Sequence, residues 1–118
     1  MRDMVVREGL LTQMRKGALE YCVMALLARS EMYGLELVRT LGHFDGMVLS
    51  EGTLYPLLSR LRKEKLVDTT WQESASGPPR RYYRLTAKGR RALADFTTEW
   101  QRFRDAVDTL IDQGGERP

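Results

Sequence analysis

The chain reads as a mainly α domain with one small β element, and three observations point there. Four stretches place apolar residues at helical spacing: 14–29, 33–43, 51–65 and 87–112. A single pair of segments, 67–73 and 80–85, carries strand-like residues on either side of the turn-rich run Ser74-Ala75-Ser76-Gly77-Pro78-Pro79. Finally, 118 residues at 42% hydrophobic and 30% charged fit one globular domain and exclude wholesale disorder.

The elements follow in order. Residues 1–13 form either an irregular arm or a short helix. From Ala18 onward, MRKGALEYCVMALLAR is apolar on nearly every face, the pattern of a buried central helix. Ser30-Glu31-Met32 is a short break. Leu35, Leu37, Val38 and Leu41 then mark a second helix from about Tyr33 to His43. Met47-Val48-Leu49 is long enough only for a strand fragment.

Ser50 and Thr53 compete as the start of the next helix. Leu49 and Leu54 fit a hydrophobic staple around a cap at Ser50. A cap at Thr53 would instead put Pro56 in the first turn, where it loses no hydrogen bond. Leu54, Leu57, Leu58 and Leu61 then give an amphipathic helix. The two strand segments form a hairpin. Thr86 is a good N-cap for a last helix running from Ala87 to Asp112 and ending at Gly114-Gly115.

That last helix carries a heptad seam: Leu93, Phe96, Trp100, Phe103, Val107 and Leu110. A helix of 87–112 is about 39 Å long, which overhangs a small domain. Its seam needs cover from either the helix at 14–29 or a second copy of the chain. The length favours a second copy, and so a homodimer with these six residues at the interface.

Charge is distributed unevenly. The total is +3, too small to argue from. Residues 1–50 carry six basic and six acidic side chains. Residues 51–91 carry ten basic and four acidic, and 92–118 three basic and six acidic. A localised cationic block is the footprint of a polyanion site, or else a solvated charged surface.

Several classes are set aside. One Cys and one His (Cys22, His43) exclude a structural zinc site and a disulfide framework, and no metal site is expected. Any catalytic triad would have to use His43, so no catalytic residues and no enzyme are expected, and no cofactor. The longest apolar run, 23–28, is far below the ~18 residues of a membrane span. The N-terminus lacks a signal-peptide core. A cytoplasmic protein without a membrane partner is expected.

Helix, helix, helix, hairpin and long helix is the order of a winged helix-turn-helix with a C-terminal dimerisation helix. Boundaries at 1–13 (arm), 14–86 (DNA-binding domain), 87–112 (dimerisation helix) and 113–118 (tail) follow. The helix at 51–65 would enter the major groove. Its polar face offers Thr53, Tyr55, Ser59, Arg60, Arg62 and Lys63 to bases and phosphates. Arg80 and Arg81 beside the Gly-Pro-Pro turn would reach the backbone or minor groove. Lys16, before the first helix, is a further phosphate candidate. Tyr55 could equally pack beneath its helix, and Trp100 could serve only dimer packing. An adaptor of the same fold without an operator is the rival reading, but it does not require the wing arginines.

The segment SEGTLYPLLSRLRKEKLVDTTWQESASGPPRRYYRLTAKGRRAL resembles the PadR family of bacterial transcriptional regulators. The resemblance lies in Tyr33-Gly34, Gly52-Thr53-Leu54-Tyr55-Pro56, Gly77-Pro78-Pro79-Arg80 and Tyr82-Tyr83-Arg84-Leu85-Thr86, followed by Gly89. It covers roughly residues 14–93, and the single C-terminal helix is similar to the smaller subfamily. It implies a homodimeric repressor of a palindromic double-stranded DNA operator, with Pro56 and Gly77 within the DNA-binding motifs. It also implies a hydrophobic cavity at the dimer interface that takes a planar aromatic effector. Trp100 would stack on that effector, with Phe96, Phe103, Leu10 and Met14 around it.

Overall fold

The computed structural model describes residues 2–116, with side chains from 3 to 113. The elements are α1 (Arg2–Arg15), α2 (Leu19–Arg29), β1 (Met32–Tyr33), α3 (Gly34–Leu41), α4 (Glu51–Lys63), β2 (Val67–Ser74), β3 (Gly77–Leu85) and α5 (Ala87–Glu116). The architecture is mainly helical with a small antiparallel sheet in the order β1-β3-β2. β2 and β3 form the hairpin, and Met32 and Tyr33 pair with Tyr83 and Tyr82 on the other edge of β3.

One core unites everything from α2 to β3. Val23, Met24, Leu26 and Leu27 of α2 meet Leu37 and Leu41 of α3, Leu54, Leu58 and Leu61 of α4, and Val67, Tyr83 and Leu85 of the hairpin. The 3–4 spacing on each helix puts these side chains on one face. Burying each removes apolar surface worth about 1.5–3 kcal/mol per large side chain. Neither α1 nor α5 supplies a fully buried side chain, and Leu93 of α5 packs only partly against the core. α5 gives the molecule its elongation, 61 × 38 × 21 Å.

The structure corrects several expected elements. Residues 14–29 are not one helix. Lys16, Gly17 and Ala18 form a turn between α1 and α2, with Gly17 at φ +80°, a left-handed conformation that glycine adopts without strain. Lys16 therefore sits in a turn, and residues 2–15 are helical. Met47–Leu49 is not a strand. The strand is Met32–Tyr33, the end of the expected break and the first residue of the expected second helix, which instead spans Gly34–Leu41, because β3 offers those two residues a free edge.

At α4 the competition is won by Ser50, whose Oγ accepts from the Thr53 N–H at 3.2 Å. Pro56 is thus the sixth residue of the helix, and the Gly52 carbonyl loses its intrahelical donor. Gly52 is exposed, so water can satisfy it. The expected six-residue hairpin loop shrinks to Ala75-Ser76, since Ser74 pairs with Gly77. Pro78 and Pro79 are tolerated because β1 does not reach them and a register irregularity lies opposite, between Gln72 and Ser74. α5 runs through Gly114-Gly115 to Glu116. Glycine in a helix costs about 1 kcal/mol, which is a bias rather than a stop. Of the expected tail, 117–118 lies outside the described residues.

Candidate nucleic-acid interface

α4 presents its buried leucines inward and leaves Thr53, Tyr55, Pro56, Ser59, Arg60, Arg62 and Lys63 exposed. All the expected residues of this helix thus lie on its outer side. Tyr55 packs inward and is also partly open to solvent. It is 43% exposed, yet its ring lies on the backbone of Gly34, where a Cβ would sit 2.3 Å from the phenol oxygen. Any larger residue at position 34 would displace Tyr55 from the helix-turn-helix. Burial, Glu51 and Tyr83 together push the Tyr55 phenol up from its ordinary value.

The turn before α2 reaches this helix. A cleft of about 550 Å³ is lined by Lys16, Thr53, Pro56 and Arg60, together with Arg15 and Glu20. Lys16 is thereby brought to three residues of α4 that were expected at DNA. Glu20 was not anticipated. Its carboxylate holds Arg60 at 2.7 Å, and Glu64 lies 3.7 Å from the same guanidinium nitrogen. Arg15 was missed as well: it donates to the Gly46 carbonyl, while Arg7 pairs with Asp45 at 2.8 Å. These contacts tie α1 to the turn that leads into α4. A charged residue on an otherwise irregular arm gave no sequence signal for this.

On the hairpin, Arg80 lies over the Tyr33 ring at 4.4 Å, and Arg81 over the Trp71 ring at 5.7 Å. Such contacts fix a guanidinium without consuming its donors. Gly77 is exposed beside them. Arg84 instead pairs with Asp68 and Glu31, and the Asp68 hydrogen bond and charge hold it ionised. Tyr83 is buried and Tyr82 half-buried against Tyr33. Lys88 donates to the Glu64 carbonyl at 2.9 Å, so it is a structural tie across the end of α4.

The expected effector residues divide. Tyr21 of α2 stacks on Phe96 at 4.1 Å, Phe96 on Trp100 at 5.9 Å, and Trp100 lies 6.4 Å from Phe103. This is a continuous aromatic ladder. Leu10 and Met14 are exposed on α1 at 58% and 65%, and α1's polar anchors go to the turn ahead of α4 instead. Tyr21 was not foreseen as part of the ladder. Leu93 and Val107 are half-buried, and Leu110 is exposed. Cys22 is half-buried and its burial pushes the thiol up. His43 is exposed. Among the described residues no three His, Cys, Asp or Glu side chains are grouped to hold a metal, and no helix is long and apolar enough to cross a membrane.

A buried three-helix body that presents α4 beside a cationic hairpin defines a winged-helix module of the DNA-binding kind. The chain belongs to the PadR-like family of transcriptional regulators, whose profile it matches over residues 23–95. It is similar to a solved PadR-like transcriptional regulator from Bacillus cereus, 40% identical with a TM-score of 0.78, covering 84% of this chain and 96% of that one. A PadR family regulator from Eggerthella lenta is 34% identical with a TM-score of 0.80, over 93% and 95% of the two chains. A transcriptional regulator of Mycobacterium tuberculosis is 33% identical over 85 residues, 72% of this chain and 78% of that protein. Regulators of this family bind DNA.

Proposed function

We propose that the protein is a homodimeric repressor that binds a palindromic operator and responds to a planar aromatic effector held between its protomers. The observation that carries this is the outer part of α5. Trp100, Phe103, Leu110 and Ile111 are 41%, 64%, 68% and 66% exposed on one helix. Such a stripe is costly in water unless a second copy covers it. A symmetric α5 pair would also cover Val107, the remaining seam residue, and place two Trp100 rings near the dimer axis. An indole supplies a flat apolar face with one polar edge, which suits a planar aromatic guest. The exposed Leu10 and Met14 would complete the pocket from the partner's α1.

In the dimer, α4 of each protomer enters successive major grooves about 34 Å apart. Thr53, Tyr55 and Ser59 face base edges and the sugar–phosphate chain. Lys16 and Arg60, in their shared cleft with Pro56, and Lys63 bind phosphates. Arg80 and Arg81, beside Gly77, bind the flanking backbone. A dimer seated this way excludes other proteins from the same base pairs, which is repression.

Two contacts support a link from effector to operator. The ladder reaches α2 through the Tyr21–Phe96 stack, and the next residue, Glu20, holds Arg60 on α4. A guest that displaces Trp100 would then shift the site that positions α4. By linkage, effector and operator change each other's affinity by the same factor.

The test is a gel-shift selection from random duplexes at fixed salt, alongside sedimentation. A palindromic preference from a dimer is expected. A monomer at micromolar concentration, or no sequence preference, overturns the reading.

A further inference from the structure

We infer that Trp71 is a DNA-contacting residue of the wing, acting with Arg81 as one cross-strand pair. This rests on the DNA-binding reading above and adds a contact that charge and motif do not suggest.

Trp71 and Arg81 are directly opposite in the β2–β3 register. Side chains so placed share one face of the sheet. Val67, Thr69 and Trp71 alternate along that face, as do Leu85, Tyr83 and Arg81 on the partner strand. The near end, Val67 with Leu85, is buried in the core at 1% and 7% exposure. Next along, Tyr83 lies near enough to Tyr55 of α4 to raise its phenol. The face then leaves the body, and Trp71 stands 68% exposed. Nothing in the core accounts for an indole there.

The residue paired with it is cationic. The Arg81 guanidinium carbon is 5.7 Å from the Trp71 ring centroid. The Arg81 Nε is enclosed and has no hydrogen-bond partner among the described residues. Arg80 follows on the other face of the same strand. An exposed indole beside an arginine whose enclosed Nε leaves only the terminal nitrogens for a ligand, on the same side as Tyr55, fits a sugar–phosphate strand. The guanidinium takes a phosphate oxygen, and the indole covers the apolar face of the deoxyribose and excludes water from the ion pair.

The two members contribute differently, and that difference is measurable. A cation that neutralises a phosphate releases counterions, so its loss flattens the salt dependence of binding. An indole releases none. Trp71→Ala is expected to lower affinity for a selected duplex by about tenfold, the scale of one good aromatic contact to nucleic acid, with the salt slope unchanged. Arg81→Ala should reduce the slope by about one. Trp71→Phe should keep part of the affinity, since a smaller ring still covers the sugar.

Direct observation comes from 19F NMR on the full chain labelled with 5-fluorotryptophan. Trp71 and Trp100 give two signals, assigned with Trp71→Phe. Adding duplex should shift and broaden the Trp71 signal. If the duplex binds by gel shift while that signal stays put and Trp71→Ala binds like the parent, the contact does not exist. If Trp71→Ala instead changes the sedimenting species, Trp71 covers another protein copy and the proposal is overturned in that way. Failure of every duplex to bind would overturn the regulator reading itself.

Discussion

The inner and outer halves of α5 carry the same kind of residue at the same spacing, yet only one half has a neighbour. Leu93 packs on the core and Phe96 stacks on Tyr21. Beyond them, Trp100, Phe103 and Leu110 continue the seam into solvent. Folding of a single chain explains the inner half, because α2 runs alongside it. It does not explain the outer half, which adds exposed apolar surface and contributes nothing to the core. A heptad that outlasts its own domain points to cover from outside that domain. The contrast between a self-sufficient body and an unfinished helix can be attacked at several points.

The largest effect belongs to the body. Leu58 of α4 is fully buried among α2, α3 and hairpin residues. Leu58→Ala should cost about 2–5 kcal/mol of stability, read from the urea midpoint. A loss under about 1 kcal/mol would mean that the core is not the closed unit described here.

The next effect belongs to the outer half. Phe103→Glu places a charge where the proposed dimer is apolar. It should weaken self-association by roughly 3 kcal/mol, more than a hundredfold, in sedimentation equilibrium. The secondary structure by circular dichroism should be unchanged, since Phe103 is 64% exposed in one chain. An unchanged association constant would remove α5 as the interface. Phe96→Ala, at the junction, should do both things moderately, with about 1–2 kcal/mol lost from the body through the Tyr21 stack.

These halves were not equally legible in the sequence. Leucine spacing and caps placed the core helices, because 3–4 periodicity survives any environment. The seam was equally visible, but periodicity does not say which neighbour covers it. The break at Gly17 went unseen because Leu19–Ala28 continues the apolar pattern past it. β1 went unseen because two residues carry no period, and only the free edge of β3 creates that strand. At the interface, residue type revealed Arg60, Arg80 and Arg81 as cations. It did not reveal their partners Glu20, Tyr33 and Trp71, which lie from ten to forty-seven residues away in the chain. The cleft joining Lys16 to Thr53 is likewise a product of folding alone.

A smaller effect tests the link between the ladder and α4. Glu20 is mostly covered and Arg60 half-exposed, so the pair is only partly screened and is worth about 0.5–1 kcal/mol. Glu20→Gln frees Arg60 without removing bulk. Stability should fall by no more than that, while operator affinity and effector response should both change. If only stability moved, the contact would be a strut within the body and the route from Trp100 to α4 would have to run elsewhere, with α1 and its Asp45 and Gly46 anchors the remaining connection.

The smallest effect lies at Cys22, on the same helix as Tyr21. Burial disfavours the thiolate and raises its pKa in the folded chain. The sign follows from linkage. A group that holds its proton more tightly when folded stabilises the fold below the ordinary thiol range, near pH 8.5. That stabilisation disappears as pH rises through the folded value. Iodoacetamide should therefore alkylate native Cys22 along a pH profile displaced upward from the profile in urea. The displacement should survive Phe103→Glu if cover comes from the body alone. Should the mutant bring the two profiles together, then the partner's helix also shields α2, and the boundary between finished body and unfinished helix would move inward to Cys22.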